Sequence, residues 1–147
     1  MEINHTEDYE VKKRYLSRYR NNIYCILRLE CKLEKTKIQA NTVRSQTYTE
    51  KVSGGIHKRQ EDLCCEVIDL ETRIKSLKAK GRKLKAEITA VIDELENYRE
   101  AEVLELYYID CKTMNEISYE LNYSWRHTER LFLSGMNKVD INVIKMS

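Results

Sequence analysis

From Leu63 to Tyr98 the apolar positions follow an unbroken alternation of fours and threes: Leu63, Val67, Leu70, Ile74, Leu77, Gly81, Leu84, Ile88, Val91, Leu95 and Tyr98. Only Gly81 is neither apolar nor aromatic. Side chains three and four apart share one face of a helix, so the pattern predicts a long helix over about 58–97. A seam sustained over several heptads predicts a coiled coil. Val67, Ile74 and Ile88 occupy one core position and Leu70, Leu77 and Leu84 the other, a choice that favours a dimer if the strands are parallel. Leu63, Val67, Leu70, Ile74, Leu77, Leu84, Ile88, Val91 and Leu95 are therefore the candidate dimer or hairpin seam. Gly81, a poor helix former, marks either a bend or a close helix crossing.

A first long helix is predicted from residue 9 to about 38, where Leu16, Tyr19, Ile23, Ile26 and Leu33 recur at helical spacing. Its heptad lapses at Glu30, and Leu27, Leu29, Cys31 and Ile38 broaden the apolar surface beyond one seam. Residues 39–57 lose the period. Asn41 to Thr49 is polar and β-branched, and Gly54-Gly55 breaks a helix, so a flexible connection is predicted there. Such a loop permits a parallel pair of chains or a hairpin. The favoured arrangement is the hairpin, with dimerisation through whatever the shorter first helix leaves uncovered.

From Arg99 the pattern is more compact. Val103, Leu104, Leu106, Tyr107 and Ile109 predict a short support helix, and Asp110-Cys-Lys turns the chain. Thr113 followed by Glu116 is a capping box that starts a second helix, with Ile117 and Leu121 inward. Asn122-Tyr123 interrupts it, and Ser124 is a good N-cap for a third helix. Thr128, Leu131, Phe132, Met136 and Val139 form the inner face of that helix. Trp125, Arg126, His127 and Arg130 are left at its opening. Two short helices joined by a tight turn are what a helix-turn-helix reader of the major groove requires. The expected fold is all-α: a long helical hairpin or coiled coil over 1–98, a three-helix module over 99–139 and a tail over 140–147.

The chain of 147 residues has no proline and four glycines, with 41% hydrophobic and 34% charged residues. No apolar run approaches membrane-spanning length, and the N-terminus does not resemble a signal peptide. A cytoplasmic protein without membrane contact is expected. Five cysteines (25, 31, 64, 65 and 111) include an adjacent pair and no Cys-x-x-Cys, which predicts reduced thiols used as small apolar residues. His5 and His57 show no ligand spacing. With no metal cluster, phosphate loop or nucleophile elbow, neither a metal, a cofactor nor an enzyme activity is expected.

The net charge of +2 is unevenly spread. Residues 1–98 carry 20 Lys and Arg against 16 Asp and Glu, net +4; residues 99–147 carry 6 against 8, net −2. Arg73, Lys75, Lys78, Lys80, Arg82, Lys83 and Lys85 form a run without an acid. The run is either a solvated outer face of the coiled coil or a stripe that tracks phosphates without reading sequence. Arg126 and His127 are either a solvated pair or contacts to base edges or phosphates; at a base edge arginine grips guanine with two bonds. Trp125 is either a half-buried anchor or a group stacked on sugar and base. Arg130 faces the groove or pairs with Glu120 or Glu129, the last disfavoured because adjacent helix residues do not face each other.

Glu102 to Ile109, then Thr113-x-x-Glu-Ile-Ser-x-x-Leu-Asn-Tyr-Ser124, then Arg126-His127 resembles region four of sigma-70-type factors over about 40 residues. The layout of a charged helical half before such a module resembles small phage and prophage regulators of the ArpU and RinA-like kind. Tyr107 stands where that pattern usually has arginine, and Asn122 where a small residue is usual. The resemblance implies a regulator of phage late genes in the bacterial host cytoplasm. It would bind double-stranded DNA through Ser124, Trp125, Arg126, His127 and Arg130, as a homodimer joined by its long helices. It equally allows a module that binds RNA polymerase or an activator. A third expectation is a DNA-packaging factor of the small terminase type, although there the DNA module usually comes first.

Overall fold

The computed structural model describes residues 4–49 and 55–142, with side chains described for 7–43 and 59–142. Gly54, residues 143–147 of the tail and the side chains of His5 and His57 lie outside the described residues. Five helices and no strand are present among the described residues: α1 (Asn4–Thr49), α2 (Gly55–Asp93), α3 (Tyr98–Tyr108), α4 (Met114–Leu121) and α5 (Trp125–Lys138). The fold is all-α. No described helix is long and apolar enough to cross a membrane.

Both long helices depart from their expected bounds. The connection expected over 39–57 is helical up to Thr49 and again from Gly55. Thr36 and Thr42 turn their hydroxyls onto the carbonyls of Lys32 and Ile38, four residues back, at 2.9 Å each. The β-branched polar residues are thereby satisfied inside a helix. Val43, 5% exposed, adds the burial that propensity alone does not supply. Consequently α1 is the longer helix, not the shorter. At the other end α2 stops at Asp93 instead of running to 97. Asn97 caps α3, its side chain accepting from the Arg99 N–H at 3.0 Å. Leu95 folds from the intervening turn onto the core, while Tyr98 is 69% exposed and belongs to no seam.

The chain divides into two compact units. The first, Ile23–Lys80, pairs parts of α1 and α2. Ile26, Leu29, Leu70 and Ile74 are buried, with Leu33 and Leu77 packed against them. Ion pairs Lys37–Glu71 and Glu30–Lys78, both at 3.2 Å, run in opposite order along the two helices, so the strands are antiparallel here.

The second unit takes the described residues of Met1–Asn22 and Gly81–Ser147. Its core joins Leu16 of α1, Leu84, Ile88, Val91 and Ile92 of α2, and the three short helices through Val103, Leu104, Tyr108, Ile117, Phe132 and Met136. Of the expected seam, Leu70, Ile74 and Leu77 thus pack with α1, and Leu84, Ile88, Val91 and Leu95 join the core shared by α1 and the short helices, while Leu63 and Val67 are half-buried and enter neither described core. An added Cβ at Gly81 would lie 2.6 Å from Asn22 Nδ2, so this glycine serves a close helix approach. Lys12, 8% exposed, donates to the Asn137 carbonyl near the end of α5 at 3.0 Å. A cation there is favoured by the helix dipole.

Candidate nucleic-acid interface

Local signals build the helix-turn-helix. Thr113 accepts from the Glu116 N–H at 3.3 Å, and Glu116 Oε2 accepts from the Thr113 N–H at 3.1 Å. This reciprocal capping box starts α4. The helix ends at Asn122, whose φ of 55° and ψ of 38° are left-handed. The N–H groups of Tyr123 and Asn122 then close on the carbonyls of Ser118 and Tyr119. That pairing is the Schellman arrangement, and asparagine tolerates the left-handed conformation better than most residues. Ser124 caps α5 by accepting from the His127 N–H at 3.1 Å. Thr128, fully buried, donates to the Ser124 carbonyl at 3.0 Å and accepts from Ser118 Oγ at 2.9 Å. One hydroxyl pair thereby pins the two helices together across the turn.

Below the turn, α3 fixes the angle of α5. Tyr108 donates to Met136 Sδ at 3.5 Å, and the rings of Tyr107 and Phe132 meet edge on at 5.0 Å. Gly135 permits this approach, since an added Cβ would lie 3.0 Å from Leu104 Cδ1. Tyr107 lies under the guanidinium of Arg20 from α1, 3.9 Å from the ring centroid. The position where the sigma-like pattern has an arginine is therefore covered by an arginine from another helix.

The expected DNA-contacting residues do not all stand alike. Arg126 and Arg130 are exposed, with Leu133 and Asn137 on the same outward stripe of α5. Glu120 is held by Lys112, and no ion pair holds Arg130 among the described residues. Trp125 is half-exposed at the first helical position. The His127 ring meets Tyr123 edge on at 4.8 Å, which fixes it beside the turn. Ser124 is engaged as an acceptor but keeps its hydroxyl proton. Of the first amides of α5, those of His127 and Thr128 are taken by Ser124. The N–H groups of Trp125 and Arg126 remain at the open end, where helix geometry favours an anion.

The basic run is all exposed, but it is not one line. Arg73, Lys75, Lys78 and Lys80 belong to the hairpin unit and Arg82, Lys83 and Lys85 to the other. At 3.6 residues per turn they spread over both flanks of the seam and the back of the helix. Lys78 is already paired with Glu30. The thiols also differ from expectation. Cys25, Cys31, Cys64 and Cys65 are exposed and Cys111 is half-buried, so none fills a core. Among the described residues no group of three or more His, Cys, Asp and Glu is placed to hold a metal ion.

Two residues here were not singled out from sequence. Tyr119 on α4 is 87% exposed, the most open of the large apolar side chains among the described residues. Glu100, 3% exposed, accepts at one oxygen from Ser134 Oγ (2.7 Å) and Lys138 Nζ (3.0 Å), while Oε2 has no partner. It ties the first turn of α3 to the last turns of α5. Its only sequence signal is an acid at helical spacing from Val103, Leu104 and Tyr107.

No curated protein and no solved structure matches the chain. A family model described as "Protein of unknown function (DUF1492)" matches residues 42–133, from the end of α1 to the middle of α5. That span is more than half of the 147 residues, and the chain belongs to the DUF1492 family.

Proposed function

We propose that this protein is a sequence-reading DNA-binding regulator of phage genes, of the ArpU and RinA-like kind, acting in the cytoplasm of a bacterial host. The observation that carries the reading is the α4–turn–α5 geometry. A left-handed Asn122, a capped Ser124 and the Ser118–Thr128 bond hold α5 with Arg126 and Arg130 outward and two open amides at its start. That is the arrangement by which a second helix enters a major groove, amides and Ser124 on phosphate and arginines on base edges. Trp125 stacks on the sugar-phosphate wall. The exposed cations of α2 add affinity that does not depend on sequence. A pair of such modules, carried by a homodimer, meets two half-sites.

The test is retention of fragments of the protein's own source genome at two salt concentrations, with Arg126→Ala/Arg130→Ala as control. Both side chains are exposed, so the variant keeps its fold. Each lost base-edge arginine costs about 1–3 kcal/mol of preference. One fragment retained at high salt and released by the variant supports the reading; equal release of all fragments, variant or not, refutes it.

A second reading has its own support. Residues 99–147 carry net −2, and Tyr119 and Leu133 (44% exposed) lie open on α4 and α5. An acidic surface with exposed apolar groups suits a protein partner such as RNA polymerase. A complex with polymerase that forms without DNA distinguishes this reading from the first.

A further inference from the structure

The hairpin unit has two long sides, and they differ in charge. Its ion pairs set the register: Glu30 stands level with Lys78, and Lys37 with Glu71. Because the helices are antiparallel, two steps back along α1 match two steps forward along α2. Arg28 therefore stands level with Lys80, and Lys35 with Arg73. At about 100° per residue, Arg28, Lys32 and Lys35 fall within about 60° of one another on α1, and Arg73 and Lys80 within about 20° on α2. All five are exposed, on the side of the hairpin away from the two ion pairs.

Over the same length the ion-paired side is neutral. It carries Glu30, Glu34 and Glu71 against Lys37, Lys75 and Lys78. The other side carries five cations and no acid. None of the five joins an ion pair among the described residues. Asp69, the nearest acid on that side, lies one turn beyond Arg73. The sequence hides this asymmetry. Its basic run from Arg73 to Lys85 is split between the two sides, and Arg28, Lys32 and Lys35 are interleaved with Glu30 and Glu34.

Cations gathered on one face without counter-charges raise the local potential and favour an anionic partner. The face is about 10 Å long, the rise of seven helical residues, and the axes of packed helices lie roughly 8–10 Å apart. One strand of a DNA duplex presents a phosphate about every 3.4 Å of its axis, so the long edge spans roughly three of them. Inside this rectangle Ser76 is the one exposed side chain without a charge; Leu29, Thr36 and Leu77 turn into the hairpin. Protein partners and membrane surfaces are held by apolar groups as well as by charge. Single strands are held by stacking on aromatic rings. The backbone of a duplex needs only charge. We propose that the face formed by Arg28, Lys32, Lys35, Arg73 and Lys80 grips the phosphate backbone of double-stranded DNA without reading its sequence. The inference deepens the DNA-binding reading and rests on it for its purpose: α5 supplies the choice of site, and this face supplies affinity from both long helices. Of the exposed cations of α2 in the hairpin, Arg73 and Lys80 take part and Lys75 and Lys78 do not.

Two variants of the full chain lose the same charge from opposite sides: Arg28→Gln/Lys32→Gln/Lys35→Gln and Lys37→Gln/Lys75→Gln/Lys78→Gln. All six side chains are exposed, and circular dichroism checks that helicity is kept. Binding to a duplex of arbitrary sequence is titrated across salt concentrations. Each lost phosphate contact lowers the slope of log affinity against log salt by about one. The first variant should therefore lose about three from the slope, while the second keeps the wild-type slope to within about one. Equal loss in both variants, or no loss in the first, overturns the proposal. So does a wild-type chain that binds no duplex, including one that sediments instead with vesicles of phosphatidylglycerol and phosphatidylcholine. This inference and the reading beneath it fail separately. A slope lost only in the first variant, with all genome fragments bound alike, removes the sequence-reading role of α5 alone. A single fragment retained through α5, with equal slopes in both variants, removes the basic face alone.

Discussion

Removing the Lys138 ammonium should weaken the hold of α3 on α5, by an amount that the surroundings of Glu100 bound. The carboxylate is buried, its side chain 4% exposed, and Oε2 already lacks a partner. Lys138 is 56% exposed. Breaking a fully buried pair costs about 3–5 kcal/mol, and an exposed pair is worth at most about 1 kcal/mol. With one partner dry and the other half in water, Lys138→Met should cost about 1–3 kcal/mol, leaving Ser134 alone on a buried anion. Glu100→Gln removes the charge and keeps an oxygen for Ser134. On that background Lys138→Met should cost only about 0.5 kcal/mol, the value of a surface contact. The coupling between the two sites is then about 0.5–2.5 kcal/mol. Urea unfolding followed by the fluorescence of Trp125, the only tryptophan, reports on the unit that holds α5. A single probe inside one unit matters because the two units need not unfold together. Additivity of the two substitutions within about 0.3 kcal/mol would show that Lys138 does not compensate the buried carboxylate.

The same assay tests the turn. Asn122→Gly should stabilise by up to about 1 kcal/mol, and Asn122→Val should destabilise by about 1–2 kcal/mol, because only the second adds a branched Cβ to a left-handed residue. Equal stabilities would mean that the left-handed conformation is not held in solution. Acid should loosen the α1–α2 contact around Glu87, whose pKa is held below its ordinary value by a hydrogen bond from Tyr15 (2.7 Å) and by Arg18 (3.0 Å). A depressed carboxyl contributes stability that is complete above its unfolded pKa and is lost as pH falls through the folded one. Tyr15→Phe should flatten that loss. At the alkaline end Tyr15, pushed up to about 12 by burial and then by Glu87, contributes below pH 10 and loses that contribution as pH rises towards 12. Helicity and tyrosinate absorbance recorded against pH follow both ends; an acid limb unchanged by Tyr15→Phe removes the Tyr15–Glu87 bond from the account.

Sequence alone determined the elements whose bonds close within a few residues. Thr113 with Glu116, Asn122 and Ser124 set the ends of α4 and α5 because their partners lie at most five positions away. The four-three alternation of α2 showed that one face is buried, since periodicity records which side chains avoid water. It did not show against what, because α1 of the same chain and α2 of another offer the same apolar surface. Residues 41–49 read as a loop by propensity, yet they are helical, with Val43 buried and the Thr42 hydroxyl satisfied by the Ile38 carbonyl. Leu95 and Tyr98 continued the heptad on paper, yet Asn97 ended it by capping α3. Glu100 looked like one more surface acid until Ser134 and Lys138, 34 and 38 residues on, closed over it. The exposure of four of the thiols became visible only once the inner faces were occupied. Short-range hydrogen bonds are written in neighbouring residues; burial is a property of what packs from elsewhere in the chain, and only the tertiary structure decides it.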